Sequence, residues 1–148
     1  MRVVLQRVAR AAVSVGGRPV SQIGRGFLLL VGAGRRERAG DARRLAEKIA
    51  RLRVFEDEAG KMNLALDDVG GAVLVVPQFT LYGDWRRGRR PSWAAAAPPE
   101  EASPQVEEFS LALEALGISV ERGAFGEHMA VELVNDGPVT LILDSAVL

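Results

Sequence analysis

Apolar and polar residues alternate from Met1 to Val15 ("MRVVLQRVARAAVSV"), the two-residue period of a strand with one buried face. This predicts strands over 2–8 and 11–15, with the Gly-Gly of "VGGRPV" (15–20) as a hairpin turn. "GFLLLVG" (26–32) is continuously apolar, as a short strand covered on both faces would be. The period then becomes helical in "GDARRLAEKIARLRVF", where Leu45, Ile49 and Leu52 share one face, charges occupy the other and Asp41 is placed to cap. "RVFEDEAGKMNLAL" (53–66) predicts two short strands around an Asp-Glu-Ala-Gly turn. "GAVLVVPQFTLYGD" (71–84) predicts a β-branched strand entering irregular chain at Pro77.

A second helix is expected in "SPQVEEFSLALEALG": Ser103 caps, Pro104 takes the first turn, Glu107 and Glu108 face the positive end of the dipole, and Gly117 stops it. Its apolar stripe is Val106, Phe109, Leu113 and Leu116, and "AAAAPPEEASP" (94–104) before it reads as a loop. Strands near 118–122, 127–134 and 139–144 complete the chain. The expectation is one domain over 1–148, α/β (α+β), with two main helices and a mixed, mostly antiparallel, barrel-like sheet.

Composition narrows the functional classes. At 148 residues, 48% hydrophobic and 26% charged, the chain has the profile of a soluble globular protein. Its longest apolar run, "FLLLVGA" (27–33), falls far short of the roughly 20 residues a membrane helix needs. No signal peptide is recognisable in the Arg-bearing first segment, and no cysteine is present for a disulfide, thiol nucleophile or thiolate metal site. A cytoplasmic location without membrane contact is expected. Formal net charge is zero, which argues against a nucleic-acid partner, yet of 19 basic residues two are lysine and the other 17 arginine. Arg86, Arg87, Arg89 and Arg90 crowd into "WRRGRRP" (85–91), which is either a solvated loop or a phosphate-binding one, since the guanidinium fork suits phosphate.

Side-chain catalysts are scarce. The one histidine, His128, lies in a predicted strand where Glu127 points to the opposite face, so the two do not form a metal pair. There is no P-loop or dinucleotide fingerprint, and Glu56, Asp57 and Glu58 read as a hairpin turn. No metal or cofactor is expected. Two segments resist a purely structural account. "PQFTLYGD" brings Gln78 and Thr80 to the end of a buried strand, where catalytic groups gather on rigid scaffold. "NDGPVT" (135–140) is either a turn between two strands or a corner that shows its backbone to a ligand, with a Gly-Pro bond of undetermined isomer.

Together these segments resemble the D-aminoacyl-tRNA deacylase (D-tyrosyl-tRNA deacylase) family, collinearly through "MRVVLQRV", "FEDEAGKMNL", "PQFTLYGD", "GRRPSW", "FGEHM" and "NDGPVT". The resemblance implies a homodimer with active sites at the subunit interface. Its activity would be hydrolysis of the ester between a D-amino acid, or glycine, and the terminal adenosine of tRNA, sparing L-aminoacyl-tRNA. On this likeness Gln78, Phe79 and Thr80 lie at the ester, and a cis Gly137-Pro138 pair from the other subunit filters chirality. Arg7 braces that loop, with Asn135 and Thr140 as its flanking motif residues, and Phe125 and Met129 fall near the adenosine. The arginines at 86–90 would contact acceptor-end phosphates. This chain departs from the family at Pro77, where Ser is usual, so no role for that hydroxyl carries over. "FGEHM" also replaces the commoner Phe-Gly-Ala-x-Met.

The residues suit that chemistry. An activated ester needs a positioned water and a place for developing negative charge, which main-chain N–H groups near Phe79 and Thr80 would supply. In the family reading the substrate's 2′-hydroxyl assists the water; a Thr80 nucleophile would lack an adjacent base. Two rivals are an RNA-binding module without catalysis and an esterase for small D-amino acid esters.

Overall fold

The structure, a computed structural model, describes residues 1–148. Strand β1 (Arg2–Val15) is its organiser, running unbroken through both predicted segments. Along one edge it pairs antiparallel with β3 (Gly26–Gly32) through Arg2–Val8 and with β2 (Arg18–Ile23) through Ala11–Val15. Along the other edge it pairs antiparallel with β8 (Met129–Asp144) over its whole length. Parallel pairing continues the sheet from β3 to β6 (Ala72–Pro77) and on to β7 (Ser119–Arg122). The order β2-β1-β3-β6-β7 curls until β2 approaches β6 and β7, giving a nearly closed, barrel-like sheet. The sheet is mixed and mostly antiparallel, as its pattern predicts.

Two apolar layers result from the strand period. Val3, Leu5, Phe27, Leu29, Val31, Val73 and Val75 face helices α1 (Asp41–Ala50) and α2 (Pro99–Glu114). Val8, Ala11, Val13, Leu28, Leu74 and Val76 fill the opposite, concave side. Strands β3 and β6 are therefore covered on both faces, as continuous apolar runs require. Fully burying one such side chain stabilises by about 1.5–3 kcal/mol. A separate ribbon, β4 (Phe55–Glu56) with β5 (Met62–Leu64), surrounds the expected acidic turn, and Phe55 stacks on Phe27 at 5.1 Å between ring centroids.

The helix starts correct the sequence reading. Asp41 is the first residue of α1 rather than its cap; Gly40 holds that position, and the Asp41 carboxylate accepts from the Arg38 N–H at 2.9 Å and from Arg44. Helix α2 begins at Pro99, four residues before Ser103, which with Pro104 lies inside it. Pro99 in the first turn with Glu100 and Glu101 behind it is itself a start signal. Leu116 lies past the helix end and is exposed, whereas Gly117 does terminate the helix: its N–H returns to the Glu114 carbonyl. Glu127 and His128 belong to a turn before β8, so the strand-based argument that separates them fails.

Candidate active site

The short 3-10 turn Phe79–Tyr82 leaves the end of β6, and Gln78 precedes it with no side-chain cap on its N–H groups. Gln78 is pinned to the sheet by its own N–H on the Val31 carbonyl at 2.8 Å, and its side-chain amide donates to the Thr80 hydroxyl. Tyr82 anchors the back of this turn. Its hydroxyl donates to Glu37 at 2.7 Å and the Arg2 guanidinium lies 4.6 Å from its ring centre. Burial and the neighbouring Glu37 push the Tyr82 phenol well above its ordinary range.

A cavity of about 570 Å³ opens beside the turn. Gln78, Phe79, Phe125 and Met129 line it, so four of the residues expected at the ester and the adenosine meet here. Thr80 adjoins through its bond to Gln78 but does not line the cavity. The sequence reading missed the remaining wall: Trp93, the Ala96–Ala97–Pro98–Pro99 entry to α2, and the ionisable residues Arg35, Glu127 and His128. Phe79 and Trp93 pack edge to face, with centroids 5.3 Å apart at 75°. Gly83 makes that close approach possible, since a Cβ there would meet the Trp93 ring at 2.6 Å. Recognising the Pro-Pro-Glu-Glu start would have placed the alanines at a helix entrance.

The second motif forms a separate locus. Gln6 pairs with Thr140 and Val8 with Asn135, so residues 136–139 bulge out of β8 opposite the single residue Arg7. It is thus a bulge in one strand rather than a corner between two. The Gly137-Pro138 peptide is cis and both residues are exposed. The flanking motif residues hold the bulge closed. Asn135 accepts from the Val139 N–H at 2.9 Å and donates to Thr140 at 3.0 Å. Arg7, only 4% exposed, donates to the Asp136 carbonyl at 2.9 Å and the Val54 carbonyl at 2.5 Å, and faces the carboxylates of Asp136 and Glu56 at 3.5 and 3.8 Å. Arg7 thus ties the bulge to the segment around Val54.

Within one chain these two loci stay apart. Arg7 pairs with Phe27 and Phe27 with Val73, whereas Gln78 follows Pro77, four residues further along β6. That is about 13 Å along the strands, in addition to the crossing from β8 through β1 and β3 to β6. Gly137 and Pro138 are absent from the cavity wall. The outer edge of β8 pairs with no strand of this chain and carries Val134 and Ile142, the latter 81% exposed.

The arginines of 85–91 sit on a hairpin closed by paired main-chain bonds between Asp84 and Ser92 at 2.8 and 2.9 Å. Arg86 grips Asp84 with two 2.8 Å bonds and holds that carboxyl down to about 2. Arg87, Arg89 and Arg90 have no carboxylate within 4.0 Å.

Fold and cavity define an α/β protein whose pocket opens at the carboxyl end of buried parallel strands, lined mainly by apolar groups with the Gln78 amide and the ionisable Arg35, Glu127 and His128. Residues 4–144 match the model of the D-Tyr-tRNA(Tyr) deacylase family. A D-aminoacyl-tRNA deacylase of Thermomicrobium roseum is 62% identical over 146 residues, 99% of this chain and 95% of the relative. One of Thermus aquaticus is 58% identical over 99% of this chain and 96% of its own. The chain therefore belongs to the D-Tyr-tRNA(Tyr) deacylase family. Among solved structures, a c-Myc DNA unwinding element binding protein superposes with a TM-score of 0.90 at 38% identity, covering 97% of this chain and 98% of that one. A probable eukaryotic D-amino acid tRNA deacylase shares the fold, with a TM-score of 0.81 at 17% identity over 96% and 97% of the two chains.

Proposed function

We propose that this protein hydrolyses the ester of D-aminoacyl-tRNA in the cytoplasm, releasing free D-amino acid and tRNA, and that it acts as a homodimer. Gln78, Phe79 and Thr80 meet the ester, Phe125 and Met129 meet the terminal adenosine, and Gly137-Pro138 of a second copy completes the pocket. The observation that carries this reading is the separation just described. A motif that protrudes, braced by Arg7, far from its own chain's cavity can meet such a cavity only in another chain.

The chemistry follows from what the cavity offers. Water adds to the ester carbonyl, the negative charge on oxygen is received by main-chain N–H groups of the uncapped Phe79–Tyr82 turn, and the tRNA 3′-terminal oxygen departs with the proton. The substrate's 2′-hydroxyl orients the water. Handedness is read by main-chain atoms of the cis corner, which exclude an L side chain and admit hydrogen. Glycyl-tRNA is thus also a substrate. The Thr80 hydroxyl accepts a hydrogen bond from Gln78 and has no base beside it, so it positions rather than attacks.

Timed release of labelled amino acid from D-tyrosyl-, L-tyrosyl- and glycyl-tRNA is the test. Cleavage of the D and glycyl esters with the L ester spared is expected, and equal D and L rates would refute the filter. Thr80→Ala abolishing all turnover while the D ester still binds would restore the nucleophile.

A further inference from the structure

The chain contains two tryptophans, and one of them has no packing role. Trp93 is 41% exposed and forms the cavity wall; Trp85 is 77% exposed and projects from the arginine hairpin. At 77% exposure the Trp85 indole forgoes most of its burial energy, and on a rigid stem its face is open to stacking. The stem is rigid: Asp84 and Ser92 exchange two main-chain bonds, and the Arg86 fork locks Asp84 one residue from Trp85.

We infer that Trp85 is a stacking platform for an unpaired base near the 3′ end of RNA, with Arg87, Arg89 and Arg90 holding the flanking phosphates. This rests on the deacylase reading and adds to it a site for the nucleotide preceding the esterified one. Continuity with the cavity supports the assignment. Gly83 underlies the cavity-lining Trp93, and Trp85 stands two residues further along the same stem. Two residues of extended chain span about 6.6 Å, close to one nucleotide step of a stretched single strand. Charge complements this: three guanidinium groups without a carboxylate partner share the hairpin with the indole, and Asp84, the acid nearest in the stem, is consumed by Arg86. An aromatic face set among arginines accepts any base, because every base has a π-face. The site therefore reads strand character rather than sequence.

A Trp93→Phe protein leaves Trp85 as the sole indole. Its emission is titrated with a short RNA ending in unpaired CCA, and with a blunt RNA duplex as comparison. Quenching by the single strand at concentrations where the duplex has little effect is expected. In the full chain, Trp85→Ala should raise the KM for D-tyrosyl-tRNA about tenfold or more, as loss of one base–aromatic stack implies. It should leave kcat and turnover of the short ester D-tyrosyl-adenosine unchanged, and Trp85→Phe should restore most of the affinity. Equal quenching by duplex, or an unchanged KM in Trp85→Ala while D-tyrosyl-tRNA is still cleaved, overturns the platform and spares the deacylase reading. Failure to cleave either ester overturns that reading instead. Trp85 emission that shifts with protein concentration alone would assign the indole to a contact between copies of this chain, and the platform falls.

Discussion

Arg7→Met removes the one buried guanidinium that ties the Gly-Pro bulge to the body of the fold. Methionine keeps the apolar stem in place, so the loss is one of hydrogen bonds more than of packing. Two carbonyls lose a charge-assisted donor. That of Val54 is in a buried residue with no replacement, and an unsatisfied buried acceptor costs about 1–3 kcal/mol. That of Asp136 is on an exposed bulge where water can substitute, for a loss of about 1 kcal/mol or less. The ion pairs to Glu56 and Asp136 add roughly 0–1 kcal/mol, because both carboxylates are more than half exposed. The sum is about 1–5 kcal/mol, which for a chain of this length lowers the melting midpoint on the order of 10 °C.

Stability alone does not test the brace, so two readouts are paired. Urea unfolding gives the free-energy loss, and the ratio of D- to L-tyrosyl-tRNA cleavage, below the melting range, reports the corner. The ratio should fall in Arg7→Met and recover partly in Arg7→Lys, whose single ammonium reaches one carbonyl but lacks the fork. A variant destabilised as expected with an undiminished ratio would reduce Arg7 to a fold residue. A variant within about 0.5 kcal/mol of the parent, the range of ordinary surface substitutions, would refute the energetic assignment.

Gly137→Ala puts a Cβ 2.8 Å from the Val139 side chain and 3.1 Å from Arg7 at a φ of +138°. Strain of about 1–3 kcal/mol and a more than tenfold drop in D-tyrosyl-tRNA cleavage are expected, measured by unfolding and by release of tyrosine. Tyr82 is the only tyrosine, so alkaline absorbance reports it alone. Its folded-state value lies above the 10.0 of the free group, so its contribution to stability is complete below pH 10 and lost as pH rises beyond it. Ionisation should coincide with unfolding above pH 10 and not precede it, and a separate phenolate step in intact protein would contradict the role given to the part-buried Glu37 bond.

What the sequence disclosed follows the physics of pattern. Period and apolar continuity located β3, β6 and the buried face of α1, because those positions report burial directly. The start of α2 was misplaced because Ser-Pro and Pro-Pro-Glu-Glu are both initiation signals within a few residues, and which one acts depends on whether Ala102 is buried, a tertiary fact. The bulge escaped for a similar reason. Asn-Asp-Gly-Pro favours any reversal, and only the pairing of Gln6 and Val8 on either side of Arg7 shows that the same strand resumes beyond the bulge with its register shifted. Likeness to a family singled out Gln78, Phe79, Phe125 and Met129, which line one cavity. The alanine and proline wall carried no chemical signal, and Glu127 with His128 was lost by assuming a strand where the chain turns.

That turn decides how far the cavity depends on an ionisable side chain. His128 lines the wall, and with the ester bound as proposed a lone imidazole there invites the role of general base. A base needs orientation, and neither His128 nor its neighbour Glu127 makes a side-chain hydrogen bond; both are solvent-exposed, free to turn away. Gln78, by contrast, is fixed by main-chain bonds on either side, its N–H to Val31 and its carbonyl from Leu81. An ester as reactive as this one gains more from a fixed oxyanion site than from a mobile proton acceptor. His128→Gln should therefore keep D-tyrosyl-tRNA cleavage within a few-fold of the parent, with the same pH–rate profile. A histidine base would instead impose a rise between about pH 5 and 8, and disappearance of such a rise in His128→Gln, together with a loss of a hundredfold or more, would transfer the chemistry from main chain to imidazole.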